Sequence, residues 1–526
     1  MEIRVFAQYL DSLEGLVKKA CAHLDGDLDE EQIELYDLAF VQAELLAART
    51  LITQTEQSQH LVPVCQYFCA NAIVTITQKL AVRPQTFGLS QSELPALDKL
   101  QDFLAPEAIA SIGRQYLEEG LVDDSLDDEK RIIRDTFKEF ADDVVKPLAE
   151  AVHRKDLLVP PEILEPLKAM GVFGLSVPER FGGLKPDTTE DSMGMVIVTE
   201  ELSRGSLGAA GSLITRPEIM ARALLEGGTN EQQARWLPQI ASGQTLCAVS
   251  VTEPNTGSDV ASVALKATRT NGGWVLDGGK TWCTYAGAAG ALLVLARTDV
   301  YAEPAHKGLS LFVVEKPSYD GHFFEFEQGD GGKMTGRAIP TLGYRGMHSF
   351  EMSYDNFFVP DDCLIGGKAG EGKGFYFTMR GFMGGRLQTA ARACGLMRAA
   401  FEESMNYSQD RMVFGRSVAS YPLSLAKLAR MGALITACKA FTAHVAGLMD
   451  QGLGQMEASL VKLFSCRAAE WVTREGVQIH GGMGYAEEVA VSRYFADARV
   501  LSIFEGAEET LAIRVVGKTL VDQARN

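Results

Sequence analysis

Near Leu246 the apolar residues of this chain stop recurring every three or four positions and gather into short runs rich in β-branched residues, and near Gly370 the helical spacing returns. A chain patterned in this way must place a sheet between two helical stretches. The first stretch is itself double. From Phe6 to about Glu119, segments such as 37–52 and 64–80 carry apolar residues at i, i+3, i+4 and i+7. Pro84, Pro95 and Pro106 are expected to break this region into short helices. A new helix is expected where Ser125 precedes an acidic first turn, with further helices to about Gly243. The β runs LCAVSV, WVLDG, ALLVLA, LSLFVVE and FEMSYDNFFVP, separated by turn signals such as NGG, predict an antiparallel sheet.

The expected division is therefore a helical extension over 1–124, a helical domain over 125–245, a β domain over 246–366 and a helical domain over 367–526. This is a mainly α chain with a central β domain (α+β). At 526 residues it is long enough for several cores.

Composition excludes more than it identifies. The formal charge of -19 argues against a nucleic-acid partner, which would need concentrated Lys and Arg. The N-terminal run MEIRVFAQYLDSLEGLVKK lacks a basic end followed by an unbroken apolar stretch, and no apolar run is expected to reach membrane-spanning length. A cytoplasmic protein without a membrane partner is the expectation. The 9 cysteines are scattered, so disulfides are not expected. Cys65 and Cys69 can share a helix face, but no second Cys or His pair follows at metal-ligand spacing, and no metal is expected.

Four local patterns carry chemistry, and each has a plainer explanation. TEPNTGSD (252–259) is either an Asn-, Gly- and Ser-rich loop or a cradle for a polar ligand at the mouth of the sheet. In KTWCTYAG (280–287), Trp282 and Thr284 alternate with Cys283 and are expected to face one side, as core packing or as one wall and one hydroxyl for a flat aromatic cofactor. RMVFG (411–415) offers Arg411, whose planar fork suits a diphosphate, and QIHGGMGY (478–485) offers glycines that admit a ligand close to backbone. Alone, these would be an exposed Arg and a helix–helix turn. RYFADARVLSIFEGAEETL places Glu505 after an apolar, strand-like run and before Gly506, a desolvated setting suited to proton abstraction. A helix cap is the alternative, although Glu508 and Glu509 are better placed for that role.

Together and in this order, these patterns resemble the acyl-CoA dehydrogenase family over about 126–520. Further matches are FGLSVPERFGG, EELSR, FFVPDDCLIGGKAGEGKGF and GGRLQTAARACG. The resemblance implies a helical domain, a β domain and a C-terminal four-helix bundle, with FAD bound between domains and across a homo-oligomer interface. It also implies roles: Thr252 on the flavin pyrimidine, Trp282 over one flavin face, Thr284 on N5, and Ser258 on the CoA chain. Arg411, Phe414, Gln478, Gly481 and Gly482 would hold the diphosphate and adenine of a neighbouring subunit.

By the same resemblance Glu505 would be the base. Relatives that place the base before the Arg of the GGR helix have no counterpart here, because Gly385 precedes Arg386, itself a substrate-side candidate. Electrons would leave through an electron-transfer flavoprotein. The chain departs from the pattern at Pro422, Ala507 and Met383.

For the acyl group, Arg216 stands immediately before Pro217 in an apolar stretch, where a charge is costly unless it meets an anion. A salt bridge to Glu218 or a surface position would satisfy it; so would the distal carboxylate of a dicarboxylyl-CoA. The helical extension with GGKTWCTYAG and FMGGRLQTAARACG resembles family members acting on (2S)-methylsuccinyl-CoA, which implies mesaconyl-CoA as product within the ethylmalonyl-CoA pathway. Tyr344 and His348 are further candidates for contacts to that acid. Glutaryl-, isobutyryl- and benzylsuccinyl-type thioesters, direct use of O₂ as in an oxidase, and a catalytically silent flavoprotein are the alternatives.

Overall fold

The β-branched runs build eight strands: β1 (Cys247–Ser250), β2 (Lys266–Thr270), β3 (Gly273–Thr284), β4 (Ala291–Arg297), β5 (Leu309–Glu315), β6 (Phe323–Glu327), β7 (Lys333–Ala338) and β8 (Ser349–Pro360). They form one sheet in the order β1-β4-β2-β3-β8-β7-β6, with β5 on β4. The structure, a computed structural model, describes residues 3–56, 58–122 and 126–525; Ser125 lies outside them.

The sheet is mixed, not antiparallel as expected. β1 runs parallel to β4, with Cys247 opposite Ala291, because the β2–β3 hairpin intervenes between them. Strands β2, β6 and β7 were not legible as apolar runs: β2 and β6 each bury one residue and leave the others exposed or half-exposed, so their sequences read as polar. Strands β4 and β5 bury six consecutive residues each, and Leu292, Val294 and Phe312 join Trp236 and Trp274 in the core beneath.

Two compact units emerge, one of Phe137–Gln388 and one of Met1–Thr136 with Thr389–Asn526. In the first, the EELSR segment ends the helix Ser192–Gly205, and Arg204 is 1% exposed. Its guanidinium pairs with Glu201 at 2.8 Å and Asp142 at 2.9 Å and donates to the Lys138 carbonyl. Burial pulls the Asp142 carboxyl up, but hydrogen bonds from Arg204 and Lys146 carry it down to about 2.

In the second unit the N-terminal extension packs on C-terminal helices. Its helices are longer than the prolines suggested: Ile3–His23, Gln32–Thr55 and Val62–Val82 precede the short turns that begin at Pro84, and Pro106–Glu119 starts on its proline. Gly113 lies against the Leu425 backbone so closely that a Cβ would come within 2.3 Å of its carbonyl oxygen. Tyr116 reaches past it to Thr436 at 3.2 Å and meets the Phe401 ring edge-on at 5.5 Å.

Two helices of this unit, Gln59–Val82 and Pro422–Asp450, are long and apolar enough to cross a membrane, contrary to expectation. Most of each is buried against neighbouring helices, and core helices of soluble proteins meet the same criterion. All nine cysteines are free and buried, as expected.

Candidate active site

The TEPNTGSD turn leaves the end of β1 and is fixed from below. The Thr281 N–H donates to the Thr252 carbonyl at 2.9 Å, tying the turn to β3. Beneath it, Lys280 donates from Nζ to the Val251 carbonyl and to Glu253, each at 2.8 Å. Glu253 also accepts the Ala264 and Leu265 amides at 2.8 Å. Burial lowers the Lys280 ammonium pKa, and Glu253 opposes that shift.

This buried pair was not anticipated from the sequence; the only signal was a Lys at an inward-facing strand position. Above it, Pro254, Asn255, Gly257 and Ser258 are exposed, so the turn presents polar atoms outward from a rigid base.

Trp282 and Thr284 do not share a face by simple alternation. A bulge between Lys280 and Cys283 interrupts the β3–β8 register, and Trp282 adopts φ +57°. Cys283 turns fully inward, Thr284 is buried with its hydroxyl 2.9 Å from that of Ser349, and the Trp282 side chain stands 55% exposed. An exposed indole on a strained strand is unusual for core packing and apt for covering a flat ligand.

Arg216 is 6% exposed on the helix Thr215–Gly227. Glu218 does not pair with it; that carboxylate accepts Arg222 at 2.8 Å and Gln388 of the helix that carries Arg386. Arg216 donates instead to the Tyr344 hydroxyl at 3.1 Å and the Ser212 carbonyl at 3.5 Å, and among the described residues it has no carboxylate partner.

Tyr344 reaches it from a strained loop in which Tyr344, Gly346 and His348 have φ of 60°, 115° and 47°. The Gly208 backbone presses on this loop, leaving no room there for a side chain. His348 turns elsewhere, with Nε2 3.1 Å from Asp156 and Nδ1 3.2 Å from the Gly346 carbonyl.

In the other unit, the run before Glu505 is not a strand. It is the end of the helix Ala490–Leu501, since Arg493 and Asp497 repeat at helical spacing, and a turn carries the chain to Glu505 at φ +55°. Lys462 clamps this turn by donating to the Gly506 carbonyl at 2.6 Å. Glu508 and Glu509 lie in the first turn of the next helix and not at its cap as expected; the cap is Ala507, with no side-chain hydrogen bond.

The Glu505 side chain is 6% exposed, and its Oε2 is buried without a hydrogen-bond partner among the described residues. Its Oε1 lies 4.0 Å from Arg392, a fully buried guanidinium that also sits 4.7 Å from the Phe504 ring centroid and 2.6 Å from the Thr389 hydroxyl. Arg392, in the Ala-rich AARACG segment, escaped the sequence reading.

Arg411 follows the helix Gly374–Asp410, and Phe414, at φ +50°, tips a two-residue hairpin. Tyr407 stacks on His480 at 4.2 Å, which brings this hairpin beside the end of helix Gln455–His480. Arg411, Phe414, Gln478, Gly481 and Gly482 are all exposed, Phe414 to 95%. Nothing lies within 4 Å of a Cβ built at Gly481 or Gly482. Five of the eight non-glycine residues with positive φ among those described are Trp282, Tyr344, His348, Phe414 and Glu505. Strain of this kind concentrates where function holds a backbone in place.

Comparisons with known proteins identify the family. The N-terminal, middle and C-terminal domain families of acyl-CoA dehydrogenases match residues 127–244, 248–357 and 372–520. The chain is 44% identical to a (2S)-methylsuccinyl-CoA dehydrogenase of Cereibacter sphaeroides over 76% of this chain and 70% of that one. Butyryl-CoA dehydrogenase of Megasphaera elsdenii superposes with a TM-score of 0.68 at 28% identity, covering 76% of this chain and all of that one. A chain solved in work on the electron transferring flavoprotein of Acidaminococcus fermentans superposes at 0.67 and 27% identity, covering 75% and 98%.

Proposed function

The chain belongs to the acyl-CoA dehydrogenase family and is an FAD-dependent oxidoreductase, and we propose that it converts (2S)-methylsuccinyl-CoA to mesaconyl-CoA with Glu505 as the base. The substrate reading rests on one observation, a buried Arg216 whose contacts are all neutral oxygens. A guanidinium so placed retains most of its demand for an anion, and the free carboxylate of a dicarboxylyl thioester meets it. Tyr344 adds a hydroxyl beside it. The 44% identity to a methylsuccinyl-CoA dehydrogenase supports the same choice.

FAD fits the residues present. The outward-facing polar turn at 252–258, the exposed Trp282 and the Thr284 hydroxyl offer contacts to a flavin, and Arg411, Phe414, Gln478, Gly481 and Gly482 offer an open surface to the dinucleotide of a second copy. When bound, FAD supplies the hydride acceptor. The protein's own step is removal of the α-proton by Glu505 at Oε2, the oxygen left without a partner. Arg392 holds the other oxygen's side of the carboxylate and compensates its charge in a desolvated setting. The β-hydrogen leaves as hydride, the product is the α,β-unsaturated thioester, and electrons then pass to an electron-transferring flavoprotein.

A panel of acyl-CoA thioesters tests this by anaerobic bleaching of the flavin. Methylsuccinyl-CoA should bleach fastest, and mesaconyl-CoA should be recovered. Faster bleaching by a monocarboxylic branched thioester would reject the substrate assignment.

A further inference from the structure

We infer that Asp156, His322 and His348 form a binding site for one divalent transition-metal ion of the zinc type. Three segments far apart in sequence meet here: the turn after the helix Lys146–Arg154, the residue before the edge strand β6, and the residue before β8. One ligand atom from each lies within 4.8 Å of the other two. Two histidines and one carboxylate are a donor set that such ions favour.

The hydrogen bonds of His348 make the case stronger than proximity. Its Nδ1 faces the Gly346 carbonyl at 3.2 Å, an acceptor only, so Nδ1 carries the proton. In the neutral ring Nε2 is then a bare lone pair, and it points at a carboxylate oxygen 3.1 Å away. Two lone pairs at that distance repel unless a proton or a cation lies between them. A 3.1 Å separation suits two donors sharing one ion with bonds of about 2.0–2.2 Å. A backbone carbonyl on the far nitrogen is also the usual support for a metal-bound histidine.

His322 completes the set from the exposed side. Its ring centroid is 4.4 Å from that of His348, and its side chain has no hydrogen-bond partner among the described residues. Asp156 also forms an ion pair with Arg345, whose Nε lies 3.5 Å from Oδ1. That guanidinium also donates to the Thr341 and His153 carbonyls, so it is shared between them and the Asp156 oxygen that faces His348. An ion here would tie Asp156, held at φ +54°, to the strained loop that carries Tyr344 to Arg216.

The test is independent of the acyl substrate. FAD-loaded enzyme, stripped with a chelator and returned to chelator-free buffer, is titrated with Zn²⁺ against a chromophoric competitor. One equivalent per chain is expected in the unaltered enzyme. The exposed substitution His322→Ala, checked for an unchanged flavin spectrum, should weaken that binding by about tenfold or more. His348→Ala should remove it. Absence of a one-equivalent site, or the same affinity in His322→Ala as in the unaltered enzyme, would overturn the proposal.

Discussion

Two buried arginines occupy opposite electrostatic situations. Arg392 lies 4.0 Å from the carboxylate of Glu505, whereas among the described residues Arg216 hydrogen-bonds to a phenol and a carbonyl alone. A buried cation beside a carboxylate is already compensated and can only position its partner; one surrounded by neutral oxygens keeps its affinity for an anion from outside. In the proposed reading, the same residue type attends an internal carboxylate in one unit and an external acid in the other. Arg204, locked between Glu201 and Asp142, shows the purely structural version.

The comparison breaks most decisively at Glu505. Glu505→Gln should keep FAD and bind substrate, yet slow flavin bleaching by about 10²- to 10⁴-fold; bleaching at an undiminished rate would remove it as the base. Arg216→Ala should raise KM for methylsuccinyl-CoA by about two orders of magnitude, the scale of an ion-pair partner lost in a buried site. A neutral branched thioester should be nearly unaffected, and equal losses on both would reject the anchor.

For Arg392→Met we expect bleaching to slow by about tenfold at little change in KM, an effect near one buried hydrogen bond to a charge. Arg392→Lys should recover part of the rate. Tyr344→Phe should cost about fivefold in KM for the dicarboxylyl substrate alone, the worth of one ordinary hydrogen bond. The smallest effect belongs to the structural arginine. Asp142 is held at about 2, below its unfolded value, so its contribution is complete above ordinary carboxylate pKa values and fades as pH falls towards 2. Acid unfolding of Asp142→Asn should lack that component.

Much of this was legible before folding, for reasons that are local. Glycine- and proline-punctuated motifs such as TEPNTGSD and IFEG point to the family because few residue types tolerate such turns, and the change in apolar spacing located the sheet. What failed was whatever depends on partners far along the chain. The run before Glu505 looked like a strand because its apolar residues are contiguous; only packing on helix Gln455–His480, seen in the Cys466 thiol on the Leu501 carbonyl, shows a helix end. Strands β2 and β6 were hidden because one face is solvated. Trp282 was expected to share a face with Thr284, but a bulge opposite β8 rotates it away.

The residue types and their order therefore determined the family and the cofactor, since each depends on chemistry carried within a few residues. The tertiary structure decided which charge meets which. Glu218 goes to Arg222 and leaves Arg216 to Tyr344, Arg392 comes to Glu505 from more than a hundred positions away, and Lys280 rises under the Thr252 turn. Electrostatic pairing acts over a few ångströms of space, and sequence spacing does not encode those distances.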